Sequence, residues 1–325
     1  MQRKAIVLRE HGAPDVLRPG HVDVGTPAAG ELLIRHSAVG VNFHDCYVRS
    51  GLYRTLALPG IPGIEAAGEV ESVGAGVQDF AVGDRVVWIS GAYGGYAEAR
   101  TLSARLAVKI PESITDAQAA ASFMKATTAC MLVRKVHAVA AGQTVLVHAA
   151  AGGVGQLLSS WARHLGARVI GTVGDDAKVE VAKRAGADEV ILYRREDFVA
   201  RTLELTGGVG VNVVYDAVGK DTFEGSLTCL DYEGKLVNYG QASGPVEPFA
   251  PGLLAGKSLS IARPIIFHYL RTPDRLRALA AEAFHAMVSG TIAPLDPVRM
   301  KLEDAAEAHR MMEAQKSPGA IILEP

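Results

Sequence analysis

The sequence predicts an α/β protein built on a doubly wound parallel sheet, and three observations support this. A β-branched and apolar run, Thr144-Val145-Leu146-Val147, feeds into His148-Ala149-Ala150-Ala151-Gly152-Gly153-Val154-Gly155 and then into a helical stretch reaching Leu165. Further short apolar runs follow it, the early ones separated by helix-like segments. Before Pro111 the texture is different, with short alternating strands punctuated by glycine and proline.

In chain order, the β-rich part offers strands at Ala5–Leu8, Leu32–Val41, Gly68–Val73, Arg85–Trp88 and Tyr96–Leu102. Gly74-Ala75-Gly76-Val77 and Val82-Gly83-Asp84-Arg85-Val86-Val87 read as two strands with a glycine-defined connection. The middle adds strands at Ala167–Val173, Glu189–Tyr193, Val211–Asp216, Gly234–Tyr239 and Ser258–Ala262, with helices at Ala177–Ala185 and Phe198–Leu205. Near-continuous apolar strands alternating with helices mean a parallel sheet covered on both faces. Right-handed crossovers then leave the six-stranded Rossmann winding. Towards the end, Thr272-Pro273-Asp274 caps a helix running to Ser289, Glu303–Ala314 forms another, and Ala320–Leu323 is a last strand.

The turn after the first strand of the middle segment carries the chemistry. Ala151, Gly152, Gly153, Val154 and Gly155 are small enough for backbone N–H groups to close on a pyrophosphate at a helix N-terminus. The strand, turn and helix stand in the order that a dinucleotide cradle requires.

A chain of 325 residues that is 49% hydrophobic is long enough for two domains with sizeable cores. A net charge of −2 and the lack of a basic stripe give no reason to expect nucleic acid or an anionic membrane surface as partner. Met1-Gln2-Arg3-Lys4 runs straight into a strand-like segment and no stretch reaches membrane-spanning length, so a cytoplasmic location is expected. Cys46, Cys130 and Cys229 are odd in number and widely spaced, which suits neither a disulfide framework nor a four-cysteine zinc site.

Several motifs carry a family resemblance: Val41-Asn42-Phe43-His44-Asp45-Cys46-Tyr47-Val48-Arg49-Ser50-Gly51-Leu52-Tyr53, Pro62-Gly63-Ile64-Glu65-Ala66-Ala67-Gly68, Gly83-Asp84-Arg85-Val86 and His148–Gly155. In this order the chain resembles, over essentially its whole length, the zeta-crystallin-like quinone oxidoreductase branch of the medium-chain dehydrogenase/reductases. The resemblance implies a GroES-like catalytic domain of residues 1–121 plus 266–325, a Rossmann domain of residues 122–265 inserted into it, and a cofactor in the cleft.

The same superfamily contains zinc alcohol dehydrogenases. Matched by motif, their first zinc ligand becomes Asn42, the histidine of their Gly-His-Glu motif becomes Ile64, and Phe123-Met124-Lys125 offers no soft third ligand. No catalytic zinc is expected, and His44 with Cys46 reads as two partly buried side chains rather than a substitute pair.

Hydride transfer without a Lewis acid suits a quinone or an activated alkene, whose carbonyls already withdraw charge. The resemblance places Asn42, Tyr47 and Tyr53 around that substrate, followed by Lys125, and places Thr128 near the nicotinamide amide. At the end of the second Rossmann strand, around Thr172 and Gly174, Val173 stands where an NAD site carries an acid. Lys178 and Tyr193 match positions that contact the 2′-phosphate in quinone oxidoreductases, so NADPH is the expected cofactor, with Asp175-Asp176 as the opposing feature. Val218 in Asp216-Ala217-Val218-Gly219, and Asn238 and Gly240 after the next strand, should border the cofactor; Gln315-Lys316 lies where the family often adds a basic residue. His148 is expected to make a structural hydrogen bond.

The reading is an NADPH-dependent quinone reductase free of metal and flavin. The alternatives are an enal or enone reductase on the same fold, or a non-catalytic, crystallin-like NADPH-binding protein. Ser258–Ala262, the last Rossmann strand, has little charge to guard its edge, so a homodimer pairing through it is expected.

Overall fold

The computed structural model describes residues 1–317 and 319–325. They divide into a first unit of Met1–Met124, Leu270–Val288 and Pro294–Pro325, and a second of Lys125–Tyr269 and Ser289–Ala293.

The first unit opens with an antiparallel pair, β1 (Gln2–Leu8) and β2 (Leu17–Asp23). The second of these was not expected, because Pro19 and Gly20 interrupt its pattern. As the outer strand of a two-stranded sheet it tolerates Pro19 opposite Ile6. β3 (Glu31–Val41) leads into α1 (Phe43–Ser50), which Gly51 closes at φ 84°. Next come β4 (Glu65–Val73), β5 (Arg85–Ile89), β6 (Ala99–Ser103) and β7 (Ala107–Lys109). α2 (Asp116–Met131) also escaped the sequence reading. Its residues from Ala119 to Ala121, with Phe123, Ala126, Ala129 and Cys130, are all fully buried, and Ser122, Lys125, Thr127 and Thr128 are buried with them, so it is enclosed on nearly every side and shows no amphipathic stripe.

The second unit alternates β8 (Thr144–Val147), α3 (Gly153–His164), β9 (Arg168–Val173), α4 (Val179–Arg184), β10 (Glu189–Leu192), α5 (Phe198–Leu205), β11 (Val211–Asp216), α6 (Phe223–Cys229), β12 (Leu230–Asn238), β13 (Ser260–Ala262) and α7 (Ile266–Tyr269). Among the described residues its strands make one six-stranded sheet in the order β10-β9-β8-β11-β12-β13. Every pairing in it is parallel. This is the Rossmann order, with its switch point between β8 and β11. Leu146, Ile170, Val214 and Leu236 fill its core. The last strand is shorter than expected: Ser258, at φ 53°, ends a 3₁₀ turn over Pro251–Lys257, and pairing begins only at Ser260.

Back in the first unit, α8 (Pro273–Val288) starts where the Thr272 hydroxyl accepts from Arg275 N at 3.4 Å. β14 (Val298–Lys301), α9 (Ala305–Glu313) and β15 (Ile321–Glu324) follow. The C-terminal strands join a mainly antiparallel sheet, β14-β15-β3-β4-β5-β7, with β6 also on β3, over a core that holds Trp88, Tyr96, Leu32 and Ile34. C-terminal residues thus complete the sheet begun by the N-terminal third.

Candidate active site

In the second unit the loop after β8 turns sharply. Ala149 takes φ 54°, Gly152 N donates to Ala149 O at 2.8 Å, and Ala150 N donates to Thr172 O at 3.1 Å. A Cβ on Gly155 would lie 2.3 Å from Ala149 O and 2.9 Å from Ala150 Cα, so only glycine lets the first turn of α3 sit against this loop. Gly152 is the N-cap and has no side chain to occupy the helix N–H groups, which leaves the turn Gly153-Val154-Gly155 open to an anion. Ala151 is buried, and its carbonyl accepts from Gln156 Nε2 at 2.8 Å.

Beneath the loop, His148 is fully buried between two hydroxyls, Nδ1 on Thr172 Oγ1 at 2.9 Å and Nε2 on Ser226 Oγ at 3.0 Å. Burial lowers its pKa. Its role is the structural one expected, and the Thr172 side chain is spent on it; Thr172 supports the loop through that bond and through its carbonyl.

At the end of β9, a Cβ on Gly174 would meet the Tyr193 hydroxyl at 3.0 Å and Arg194 Nε at 3.4 Å. Lys178 Nζ lies 3.4 Å from Asp175 Oδ2, and Arg195 pairs with Asp176 at 2.6 Å. Both acids that opposed a phosphate site therefore have basic partners. Arg194 was missed: in the run Arg194-Arg195 nothing in the sequence tells which arginine turns towards Gly174. Asp175 and Asp176 open a 3₁₀ turn ending at Lys178, ahead of the shorter α4, in place of the single helix expected.

The ends of β11 and β12 are locked together. Asp216 Oδ1 accepts from Val218 N at 2.7 Å, Gly219 N at 3.0 Å and Thr222 Oγ1 at 3.0 Å. Asn238 Nδ2 donates to Gly240 O at 3.1 Å, and a Cβ on Gly240 would strike Ala217 O at 2.5 Å. Thr128 and Lys125, on α2, are 8% and 6% exposed, which removes the reading of Lys125 as a solvated helix residue.

In the first unit, Asn42 caps α1. Its N–H donates to Asp45 Oδ2 at 2.9 Å, and its Nδ2 to Glu65 Oε2 at 3.1 Å. The other oxygen of Glu65 accepts from Met124 N at 2.6 Å. Ile64, at the position of the zinc enzymes' histidine, is fully buried, and among the described residues no three His, Cys, Asp or Glu side chains converge as a metal set. Cys46 is buried and its thiol pKa is pushed up by burial.

Tyr47 and Tyr53 meet edge to face, with ring centroids 5.2 Å apart. Tyr53 also packs edge-on against His44 at 5.4 Å, and His44 stacks on Tyr93 at 6.0 Å. Tyr93 and His44 belong to this cluster although neither was assigned to it, since Tyr93 lies far from the 43–55 segment in sequence. Burial holds the His44 pKa down at about 4.

Comparison with known proteins agrees with this architecture. The alcohol dehydrogenase GroES-like domain model matches residues 28–112, and the zinc-binding dehydrogenase model matches residues 153–283. The quinone oxidoreductase of Salmonella typhimurium is 43% identical over 323 residues, covering 98% of this chain and 99% of its own. The Escherichia coli quinone oxidoreductase solved with NADPH superposes with a TM-score of 0.96 at 42% identity, over 99% of this chain and 100% of that one. A mycobacterial protein solved with NADPH gives a TM-score of 0.95 at 46% identity over the same shares. Full-length likeness at this level, on a GroES-like unit and a Rossmann unit with the expected strand order, shows that the chain belongs to the quinone oxidoreductase family of the medium-chain dehydrogenase/reductases.

Proposed function

We propose that the protein is an NADPH-dependent quinone reductase that works without metal or flavin. The observation that carries this reading is the end-to-end likeness to quinone oxidoreductases, one of them solved with NADPH. Residues 1–121 with 266–325 supply Asn42, Tyr47 and Tyr53 to the acceptor, and residues 122–265 supply Lys125 and hold the cofactor.

The cradle fits a dinucleotide, because Gly152 caps α3 without a side chain to occupy its first N–H groups, and Gly155 and Gly240 let the loop, helix and strand ends approach more closely than a Cβ would allow. Ala151, Gly152, Gly153, Val154 and Gly155 take the pyrophosphate through backbone N–H groups. Lys178 and Tyr193 take the 2′-phosphate beside Gly174. Thr128, Val218, Asn238 and Gly240 border the nicotinamide half, and Thr172 holds the loop from below. When bound, NADPH supplies hydride. Asn42, Tyr47, Tyr53 and Lys125 orient the acceptor and stabilise the negative charge that develops on its oxygen. The protein acts in the cytoplasm as a two-fold dimer paired through β13, whose outer edge has no neighbour among the described strands.

The test is anaerobic NADPH oxidation against ortho- and para-quinones, alkenals and enones. Turnover with quinones well above that with enones is the expected outcome, and the reverse order overturns the acceptor assignment. Sedimentation at micromolar concentration giving a monomer overturns the dimer.

A further inference from the structure

We propose that Thr55, Tyr93 and His44 form a proton relay that carries a proton from solvent to the oxygen of the reduced acceptor. The proposal rests on the quinone reductase reading and deepens it.

Tyr93 is the starting observation. It stands at φ 58° in Ser90-Gly91-Ala92-Tyr93-Gly94-Gly95, left-handed backbone that a bulky side chain rarely adopts. What this conformation secures is a buried phenol, 3% exposed, whose oxygen bonds Thr55 Oγ1 on one side and His44 Nε2 at 3.2 Å on the other. Thr55 is exposed, Tyr93 buried and His44 half-buried, so the buried phenol links a group at the surface to an imidazole that packs on the aromatic cluster. The inner end packs on Tyr53, and Tyr53 packs on Tyr47, the two tyrosines assigned to the acceptor.

Each member can both donate and accept a hydrogen bond, which a relay requires. Burial keeps the imidazole of His44 neutral down to about pH 4, and burial also raises the Tyr93 pKa, so the phenol keeps its proton at neutral pH. The chain can therefore be polarised in either direction. Reduction of a quinone by NADPH consumes one proton: quinone, NADPH and a proton give hydroquinone and NADP⁺. After hydride arrives the acceptor carries a negative oxygen. His44 gives that oxygen the proton of one ring nitrogen as Nε2 takes the Tyr93 proton; Tyr93 takes that of Thr55, and Thr55 is reprotonated from water. Rotation of the hydroxyls and return of the imidazole to its first tautomer complete the cycle.

Tyr93→Phe keeps the ring and removes the link, and Thr55→Val removes the exposed hydroxyl with little change in volume. General acid help contributes about a hundred-fold or more to demanding reactions. A hydroquinone anion is a weak base, so the expected loss in turnover is smaller, roughly three- to ten-fold. Quinone KM and NADPH affinity should stay at parent values, and the solvent deuterium isotope effect on turnover should grow in both variants. Without any substrate, the ring ¹⁵N shifts of His44 should move in Tyr93→Phe. Parent turnover and isotope effect in both variants, in a protein that does reduce quinones, overturn the relay alone; so do unmoved His44 shifts. A parent protein that oxidises NADPH with no quinone overturns the relay and the functional reading together.

Discussion

In the second unit the loop after β8 is made almost wholly of backbone. Its shape is set by Ala149 and by glycines whose missing Cβ atoms leave room for neighbouring carbonyls. In the first unit the cluster of His44, Tyr47, Tyr53 and Tyr93 is made of side chains, held by ring packing and a hydroxyl chain. A site made of backbone is fixed by a contiguous stretch of sequence and tolerates almost no added atom. A site made of side chains is assembled from distant segments and can lose one group at a time.

The largest expected effect separates the two units by pH. His36 and His44 have pKa values lowered by burial to about 4, and His309 to about 3, all in the first unit. His36 Nε2 accepts from Trp88 Nε1 at 3.2 Å, which leaves Nδ1 to donate to Ala97 O at 2.7 Å, so protonation must break the Trp88 bond. An unfolded chain takes up these protons near pH 6.5 and the folded one only near 4. Stability is therefore fully present above about 6.5 and is lost as pH falls towards 4. The second unit has depressed histidines too, His137 and His148. Trp88 and Trp161, one in each unit, are the chain's two tryptophans. In Trp161→Phe and Trp88→Phe variants the remaining tryptophan reports its own unit, and the Trp88 signal should change at higher pH than the Trp161 signal. Coincident transitions would mean that the units unfold as one.

Next is Gly155→Val. The new Cβ meets a backbone oxygen and a Cα that cannot swing away, so a loss of about 1–3 kcal/mol in stability is expected, together with lost NADPH binding. Gly256→Ala, with nothing within 4 Å, should stay within about 0.5 kcal/mol of the parent. Equal unfolding midpoints for the two variants would contradict the packing argument.

These cases show what was legible in the sequence. The glycine loop, the strand order and the helix from Thr272 were, because each depends on local periodicity or on a contiguous motif. The capping of α1 by Asn42 and Asp45 is written in the chain, but a helix of eight residues is too short for its periodicity to stand out. α2 is hidden by being buried nearly all round, its polar residues included. Tyr93 was illegible, since no local signal says that a tyrosine among glycines takes left-handed backbone and meets His44. Arg194 was illegible for a similar reason: which of two adjacent arginines faces Gly174 is settled by the turn after β10.

Lys178→Ala should weaken NADPH binding about ten- to hundred-fold, the worth of a charge-assisted phosphate contact, and barely alter NADH binding. Equal losses for both nucleotides would mean that Lys178 serves the fold. In the side-chain site the expected changes are smaller. Asn42→Ala and Tyr53→Phe should lower quinone turnover about three- to thirty-fold with little change in NADPH affinity, if they meet charge formed as hydride arrives. Because Asn42 also caps α1, its variant should lose about 1 kcal/mol of stability as well, which Tyr53→Phe should not. Parent turnover in both would leave catalysis to proximity.

The smallest expected effect sharpens the comparison within the cofactor site itself. Asp175 is 43% exposed at its side chain and holds Lys178 at 3.4 Å, so in the free protein the lysine already has an anionic partner that a phosphate must displace. A pair exposed on one side is worth about 0.2–1 kcal/mol, so Asp175→Asn should remove one competitor for Lys178 and tighten NADPH binding by up to about five-fold. NADH, which lacks the phosphate, should bind as before. Because the Asp175 carboxylate is exposed, the gain should shrink as salt is raised. Fluorescence titration of both nucleotides at low and high salt measures this directly. A weaker NADPH complex in Asp175→Asn would mean that the carboxylate aims Lys178 at the phosphate, and that this contact, like the aromatic cluster of the first unit, depends on one side chain positioning another.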